Sequence, residues 1–338
     1  MTAGPDFTPV VLLTGFLGSG KTTLLARLLK DPALADTAVM INEFGEVGLD
    51  HHLLERLDET MVLLSSGCLC CTIRGELAEA IKALQSRRTR GEVPPFRRLV
   101  IESTGLADPL PVIATITADP VLKHHFRMGA VVTTVDAVNG ADQLARQPES
   151  VTQAAVADRL MLTKTDLADD DRARDLVQAL RALNPDAPLL RVATDRLDAE
   201  AILGDRPTLS EGLQGFRCVA APDAAASHGD GVASFALILD KAIDWTLFGL
   251  WLTMLLNRHG ARILRVKGLL NVEGCETPVA IHGVQQLVHV PTHLAAWPDS
   301  DRRSRIVFIT RGLDPAAIER SFHAFGLVRE PRAEPALA

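Results

Sequence analysis

Tyrosine is absent from this 338-residue chain, and with 11 Phe and 3 Trp the aromatic share is only 4%. Single-stranded nucleic acid binds by stacking its bases on such rings, so few platforms exist for it here. Basic charge is also in deficit. Lys and Arg total 35 against 42 Asp and Glu, and a formal net charge of −7 disfavours bulk attraction to a phosphate backbone. The longest apolar runs, Met61 to Ile73 and Trp245 to Leu256, fall short of the roughly 18 residues that a membrane-crossing helix needs. No Lys or Arg precedes Lys21, so the cationic start of a signal peptide is missing and a cytoplasmic location is expected. Neither a nucleic acid nor a membrane is an expected partner.

Against these absences, 47% hydrophobic and 23% charged residues are ordinary for a globular chain, and the length predicts two domains. Repeats with a period of 20 to 50 residues are not evident. Val10 to Thr14 reads as a buried strand, followed by a glycine-rich loop and a helix from Lys21 to about Lys30. Apolar runs recur at Ala38 to Ile41, Leu99 to Ile101, Ala130 to Val135, Arg159 to Leu162 and Leu189 to Val192, interleaved with helical stretches such as Gly75 to Arg88 and Asp169 to Leu183. This alternation predicts an α/β domain, a mostly parallel sheet wrapped by helices, over residues 1–206. Pro, Gly, Ala, Ser and Asp dominate 207–231, which reads as a linker. A smaller α+β domain is predicted over 232–328, with strands at Ala233 to Leu239, Ile263 to Val272, Pro278 to Val290 and Arg305 to Ile309. Its helices are predicted at Asp244 to His259, with Asp244 as N-cap and Gly260 just past the end, and at Asp314 to Phe325. Residues 329–338 read as a loose tail.

The chemistry concentrates in loops that follow predicted strands. Gly15-Phe16-Leu17-Gly18-Ser19-Gly20-Lys21-Thr22 fits the phosphate-binding pattern G-x-x-x-x-G-K-[ST] in the strand-to-helix setting that pattern requires. Gly15, Gly18, Ser19 and Gly20 let backbone N–H groups converge on phosphate oxygens, with Thr23 next in the helix. Lys21 is placed to reach the β and γ phosphates, and Thr22 to ligate Mg²⁺. In Ile101-Glu102-Ser103-Thr104-Gly105, Glu102 is a candidate for holding Mg²⁺ or its waters and Gly105 for facing the γ phosphate; a plain capping turn before Pro109 is the alternative. Lys164 and Asp166 of Thr163-Lys164-Thr165-Asp166 favour guanine, because a carboxylate there accepts from the guanine N1–H and amine. Thr163 stands where the commoner GTPase version has Asn, which predicts weaker support around that loop.

Although cysteines number only five, Cys68, Cys70 and Cys71 crowd into four positions, a spacing that lets thiolates converge on a soft or borderline cation. Zn²⁺ is the first choice, with Co²⁺ possible. Three cysteines leave a fourth position for water, a His, a partner's side chain or a carboxylate such as Glu43 or Glu46. Buried inert thiols or a redox pair are the alternatives. Ile41 to Asp50 reads as a switch segment sensing the γ phosphate. The scattered His, including His51-His52, His124-His125, His282, His289 and His293, read as solvated or packed, and Arg87-Arg88-Thr89-Arg90 as a solvated helix end.

Taken together in their order, these motifs resemble the CobW-type P-loop GTPases, relatives of the urease and hydrogenase maturation GTPases. Arg265-Val266-Lys267-Gly268 and Ser304 to Ile309 extend the likeness into the second domain. The resemblance implies a Mg²⁺-dependent enzyme turning GTP into GDP, a metallochaperone whose Cys68, Cys70 and Cys71 carry zinc or cobalt to a client metalloprotein, and a possible homo-oligomer. No long His-rich tract of the kind found in some cobalt-associated members is present, which favours zinc. The competing readings are a P-loop kinase acting on a small molecule and a nucleotide-bound metal sensor or storage module with negligible turnover.

Overall fold

The computed structural model describes residues 7–41, 73–204 and 231–325, and the chain divides into two compact units, Met1–Thr208 and Leu209–Ala338. The switch segment from Asn42 onward, Cys68, Cys70, Cys71 and most of the expected linker lie outside the described residues, as does the expected tail.

In the first unit six strands pair in parallel throughout, in the order β2-β3-β1-β4-β5-β6. They are β1 (Thr8–Gly15), β2 (Thr37–Ile41), β3 (Arg98–Glu102), β4 (Phe126–Asp136), β5 (Arg159–Thr163) and β6 (Leu189–Arg191). Helices cover the sheet on both sides, which is why Val10 to Leu13 form an unbroken apolar run with no exposed surface. The helices are α1 (Lys21–Leu28), α2 (Ile73–Thr89), α3 (Pro109–Ala118), α4 (Gly140–Arg146), α5 (Pro148–Val156), α6 (Asp170–Leu183) and α7 (Ala199–Leu203). Strand order reverses around β1, so the loops leaving β1, β3 and β4 flank one crevice at the carboxyl edge of the sheet.

The sequence reading omits α3, α4, α5 and α7. In α3 the run PLPVIATITA is apolar on nearly every side, so it lacks the 3.6-residue alternation that marks a surface helix. Asp108 nonetheless caps it, accepting from Leu110 N at 3.0 Å. All but the first two residues of α5 are buried, which erases its polar stripe as well.

The second unit is an antiparallel sheet in the order β10-β9-β8-β12-β7, with β11 also paired to β9. Its strands are β7 (Val232–Leu239), β8 (Ile263–Leu270), β9 (Val279–Val284), β10 (Leu287–Val288), β11 (Thr292–His293) and β12 (Ser304–Arg311). One face of this sheet packs against α8 (Trp245–His259) and α9 (Pro315–Ala324) around Trp251, whose ring meets Phe322 edge-on at 4.9 Å and Phe308 at 6.2 Å. Asp244 caps α8, accepting from Leu247 N at 3.0 Å.

Two details differ from expectation. Gly260 has φ −56°, not the left-handed value of a terminating glycine, because the chain continues as a 3₁₀ turn over Gly260–Arg262. A Cβ there would sit 2.2 Å from the Gln286 side chain, which would have to move to admit one. The single strand predicted over Pro278 to Val290 is instead a hairpin turning at Gln285, where φ is +51°, and glutamine carries none of the Asn-Gly signal that marks such a turn.

Candidate active site

β1 ends at Gly15, whose φ of +141° lies outside the range open to side chains, and a Cβ there would meet Thr134 Oγ1 at 2.3 Å. The loop then passes Gly18 at φ +71° and Gly20 at φ +85° before α1 begins at Lys21. Left-handed turns of this kind present successive N–H groups to one concavity at a helix N-terminus, which is suited to an oxyanion. The ammonium of Lys21 reaches back over the loop, donating to Gly15 O at 3.0 Å and Phe16 O at 3.2 Å. Thr22 Oγ1 donates to Glu102 Oε1 at 2.5 Å, bringing together residues 80 apart in the chain. Thr23 sits one position on, at the exposed surface of α1.

Buried hydrogen bonds fasten the phosphate loop from two sides and hold the strand before it from a third. Ser19 Oγ and Thr134 Oγ1 of β4 share a bond of 2.6 Å. Thr163 Oγ1, at the end of β5, donates to Ser19 O at 2.8 Å. Thus the threonine at the position where the commoner GTPase version carries asparagine supports the phosphate loop directly. Ser103 Oγ donates to Thr14 Oγ1 at 2.9 Å, tying the β3 loop to the end of β1.

Gly105 follows that loop and is buried against the phosphate loop. A Cβ at this position would fall 2.5 Å from Leu17 N, so only glycine allows the two backbones to approach this closely. Gln153 of α5, only 1% exposed, donates Nε2 to Gly105 O at 3.2 Å and to Ala107 O at 3.0 Å. Sequence reasoning missed Gln153 and Thr134, because neither belongs to a motif and both act across the fold.

On the far side of the crevice, Lys164 takes φ +56° and donates Nζ to Asp136 Oδ2 at 2.7 Å. Asp136 also accepts from Val138 N and from the Asn139 side chain. Burial raises the pKa of this carboxyl, and the bonds from Lys164, Asn139 and Val138 outweigh that, holding it below the ordinary carboxylate value. Asp136 and Asn139 were not singled out from sequence, although an aspartate ending an apolar strand with asparagine three residues later was a usable signal. Asp166 is exposed in the turn after β5, with Leu167 N donating to Lys164 O at 3.1 Å.

The fold therefore assembles Gly15, Gly18, Ser19, Gly20, Lys21, Thr22, Glu102 and Gly105 on one edge, with Lys164 and Asp166 at the end of β5. Cys68, Cys70, Cys71, Glu43 and Glu46 lie outside the described residues, and among the described residues no group of three or more His, Cys, Asp and Glu is arranged to hold a metal. Hydroxyl and carboxylate oxygens, as offered by Thr22 and Glu102, are the donor set a hard dication such as Mg²⁺ takes.

Fold and site together define a P-loop nucleotide-binding domain followed by an independent antiparallel-sheet unit. Residues 9–191 match the CobW/HypB/UreG nucleotide-binding domain, and residues 232–326 match the cobalamin synthesis protein CobW C-terminal domain; the chain belongs to this CobW family. It is 33% identical to the zinc chaperone YjiA of Escherichia coli over 93% of this chain and 97% of that one. It is 29% identical to the zinc chaperone CobW of Pseudomonas aeruginosa, covering 92% and 89%. Among solved structures, that of a zinc-bound triple mutant of YjiA GTPase superposes with a TM-score of 0.72 at 29% identity, over 95% of this chain and 99% of that chain.

Proposed function

We propose that this protein is a GTP-hydrolysing zinc chaperone in which the nucleotide state sets the affinity of a cysteine site for its metal cargo. The reading rests above all on the Thr22–Glu102 hydrogen bond, which links the phosphate loop to the end of β3 in a chain whose full-length relatives are named zinc chaperones. As a member of this family the chain is a GTPase. Phosphoryl transfer to water requires positioning and charge neutralisation more than a covalent group, and the residues supply both. Lys21 and the loop N–H groups hold the phosphate oxygens, Thr22 and Glu102 would hold Mg²⁺, and Gly105 lets the β3 loop lie within reach of the γ phosphate. Mg²⁺, when bound, neutralises charge on the β and γ phosphates. Lys164 and Asp166 select guanine.

Zn²⁺ is the cargo, carried by Cys68, Cys70 and Cys71 with Glu43 or Glu46 available as an oxygen ligand, and its recipient is a client metalloprotein. Binding coupling is reciprocal: if GTP changes zinc affinity, zinc changes GTP affinity by the same factor. The test is a chelator competition for Zn²⁺ on the reduced protein, loaded in turn with Mg·GDP and with Mg²⁺ and a slowly hydrolysed GTP analogue. The expected result is a difference of about tenfold or more between the two states, about 1.4 kcal/mol of coupling, abolished by Cys68→Ser, Cys70→Ser and Cys71→Ser together. Equal affinities in both states overturn the chaperone cycle and leave a storage module.

A further inference from the structure

All but the first two residues of α5 are buried, and in that setting Gln153 carries a primary amide with only 1% of its surface exposed. A buried amide without partners costs free energy, so the bonds it makes are informative. Its Nε2 donates to two carbonyls of one turn, Gly105 O at 3.2 Å and Ala107 O at 3.0 Å, 48 and 46 residues away in the chain. Two acceptors fix the orientation of the amide, because the flipped form would set Oε1 against both carbonyl oxygens. Oε1 itself has no hydrogen-bond partner among the described residues. The side chain is therefore matched to the Gly105 turn and poorly matched to the core around it.

That turn touches the phosphate loop through its glycine, where a Cβ would lie 2.5 Å from Leu17 N, and it touches Gln153 through its carbonyls. α5 is itself pinned. Thr133 Oγ1 of β4 donates to Gln153 O at 2.8 Å, and Asn184 Nδ2 donates to Ala154 O and to Ala157 O, both at 2.9 Å. Thr134, the next residue of β4 and so on the opposite face of the sheet, shares its 2.6 Å bond with Ser19 of the phosphate loop. Adjacent residues of one strand thus fix the helix that bears Gln153 and the loop that cradles phosphate. Packed elements of this kind transmit displacement with little slack, so the Gly105 turn and the phosphate loop are held in one register.

We propose that Gln153 is a positioning residue for GTP hydrolysis: it holds the Gly105 turn so that the Gly105 N–H meets the γ phosphate, favouring GTP over GDP and supporting turnover. The inference rests on the reading of Gly105 as a neighbour of the γ phosphate. A donor set in place beforehand costs no reorganisation during reaction, and a displacement of about 1 Å is worth about 100-fold in rate. The test uses Gln153→Met, which keeps the length and removes both donors, and Gln153→Asn, which is one methylene shorter and keeps the polarity. Each full chain is assayed with Mg²⁺ for steady-state GTP turnover and for its affinities for GDP and a slowly hydrolysed GTP analogue. In both variants kcat is expected to fall about 10- to 100-fold and analogue affinity about tenfold, with GDP affinity unchanged. The Asn variant, the smaller disturbance, carries the test if the Met variant does not fold. A purely structural amide would lower the urea midpoint while folded variants kept the parent kcat and the parent ratio of analogue to GDP affinity. That result, or a parallel loss of GDP and analogue affinity, overturns the proposal. Gly105→Ala separates the two readings. If it too leaves the ratio unchanged, the placement of Gly105 at the γ phosphate fails; if it lowers the ratio while the Gln153 variants do not, only the positioning role fails.

Discussion

The hydrogen bond from Thr22 to Glu102 joins the start of α1 to the end of β3. Replacing Glu102 with Gln keeps the shape and removes the charge. The Mg²⁺ concentration for half-maximal GTP turnover is then expected to rise about 10- to 100-fold, read from a Mg²⁺ titration of the steady-state rate. Asp136 gives a pH prediction. Its pKa is lowered in the fold, so its contribution is present above the unfolded value and is lost as pH falls through the folded one. Asp136→Asn is expected to cost about 2 kcal/mol at neutral pH, measured by urea unfolding, and to shrink the difference from the parent protein as the medium is acidified below pH ~4. At this scale the motif residues were legible because the phosphate loop is contiguous in sequence. Thr163, Thr134 and Gln153 were not legible as supports, because their partners lie 144, 115 and 48 residues away in the chain.

Elements with strong local signals were read correctly and elements without them were missed. α8 has an aspartate cap and an apolar stripe that includes Phe248, Trp251, Leu252 and Leu255. α3 has a cap too, but no polar face to reveal its period. The same helix α8 separates two kinds of stabilisation. Asp244→Ala removes one capping bond and is expected to cost about 1 kcal/mol. Trp251→Ala empties the centre of the second core, where the ring also donates Nε1 to Ser321 Oγ at 3.0 Å, and is expected to cost about 3–5 kcal/mol. Chemical denaturation followed by far-ultraviolet circular dichroism ranks the two, and equal costs would contradict the packing described for Trp251.

Two units with separate cores also permit a test of the whole molecule. Trp245, Trp251 and Trp297 are the only tryptophans and all lie in the second unit, so intrinsic fluorescence reports its unfolding, while nucleotide chemistry belongs to the first. GDP at about 100 times its Kd stabilises its own unit by about 2.7 kcal/mol. Amide exchange through global opening of β1 and β4 is expected to slow about 100-fold, with the tryptophan unfolding transition unmoved. A GDP-induced shift in the fluorescence transition would show that the two cores unfold as one.

The sequence by itself determined the phosphate loop, the alternation of buried strands with helices, the change of composition before the second unit and the aspartate cap of α8. These features arise from backbone preferences and hydrophobic periods within a few residues, so a contiguous stretch carries them in full. Only the tertiary structure decided the strand order around β1, the approach of Gly105 to Leu17, the fastening of Ser19 by Thr163, and the reach of Gln153 to the Gly105 turn. Each depends on pairing between distant segments, and the energy that selects one pairing over another is set by the packed core as a whole.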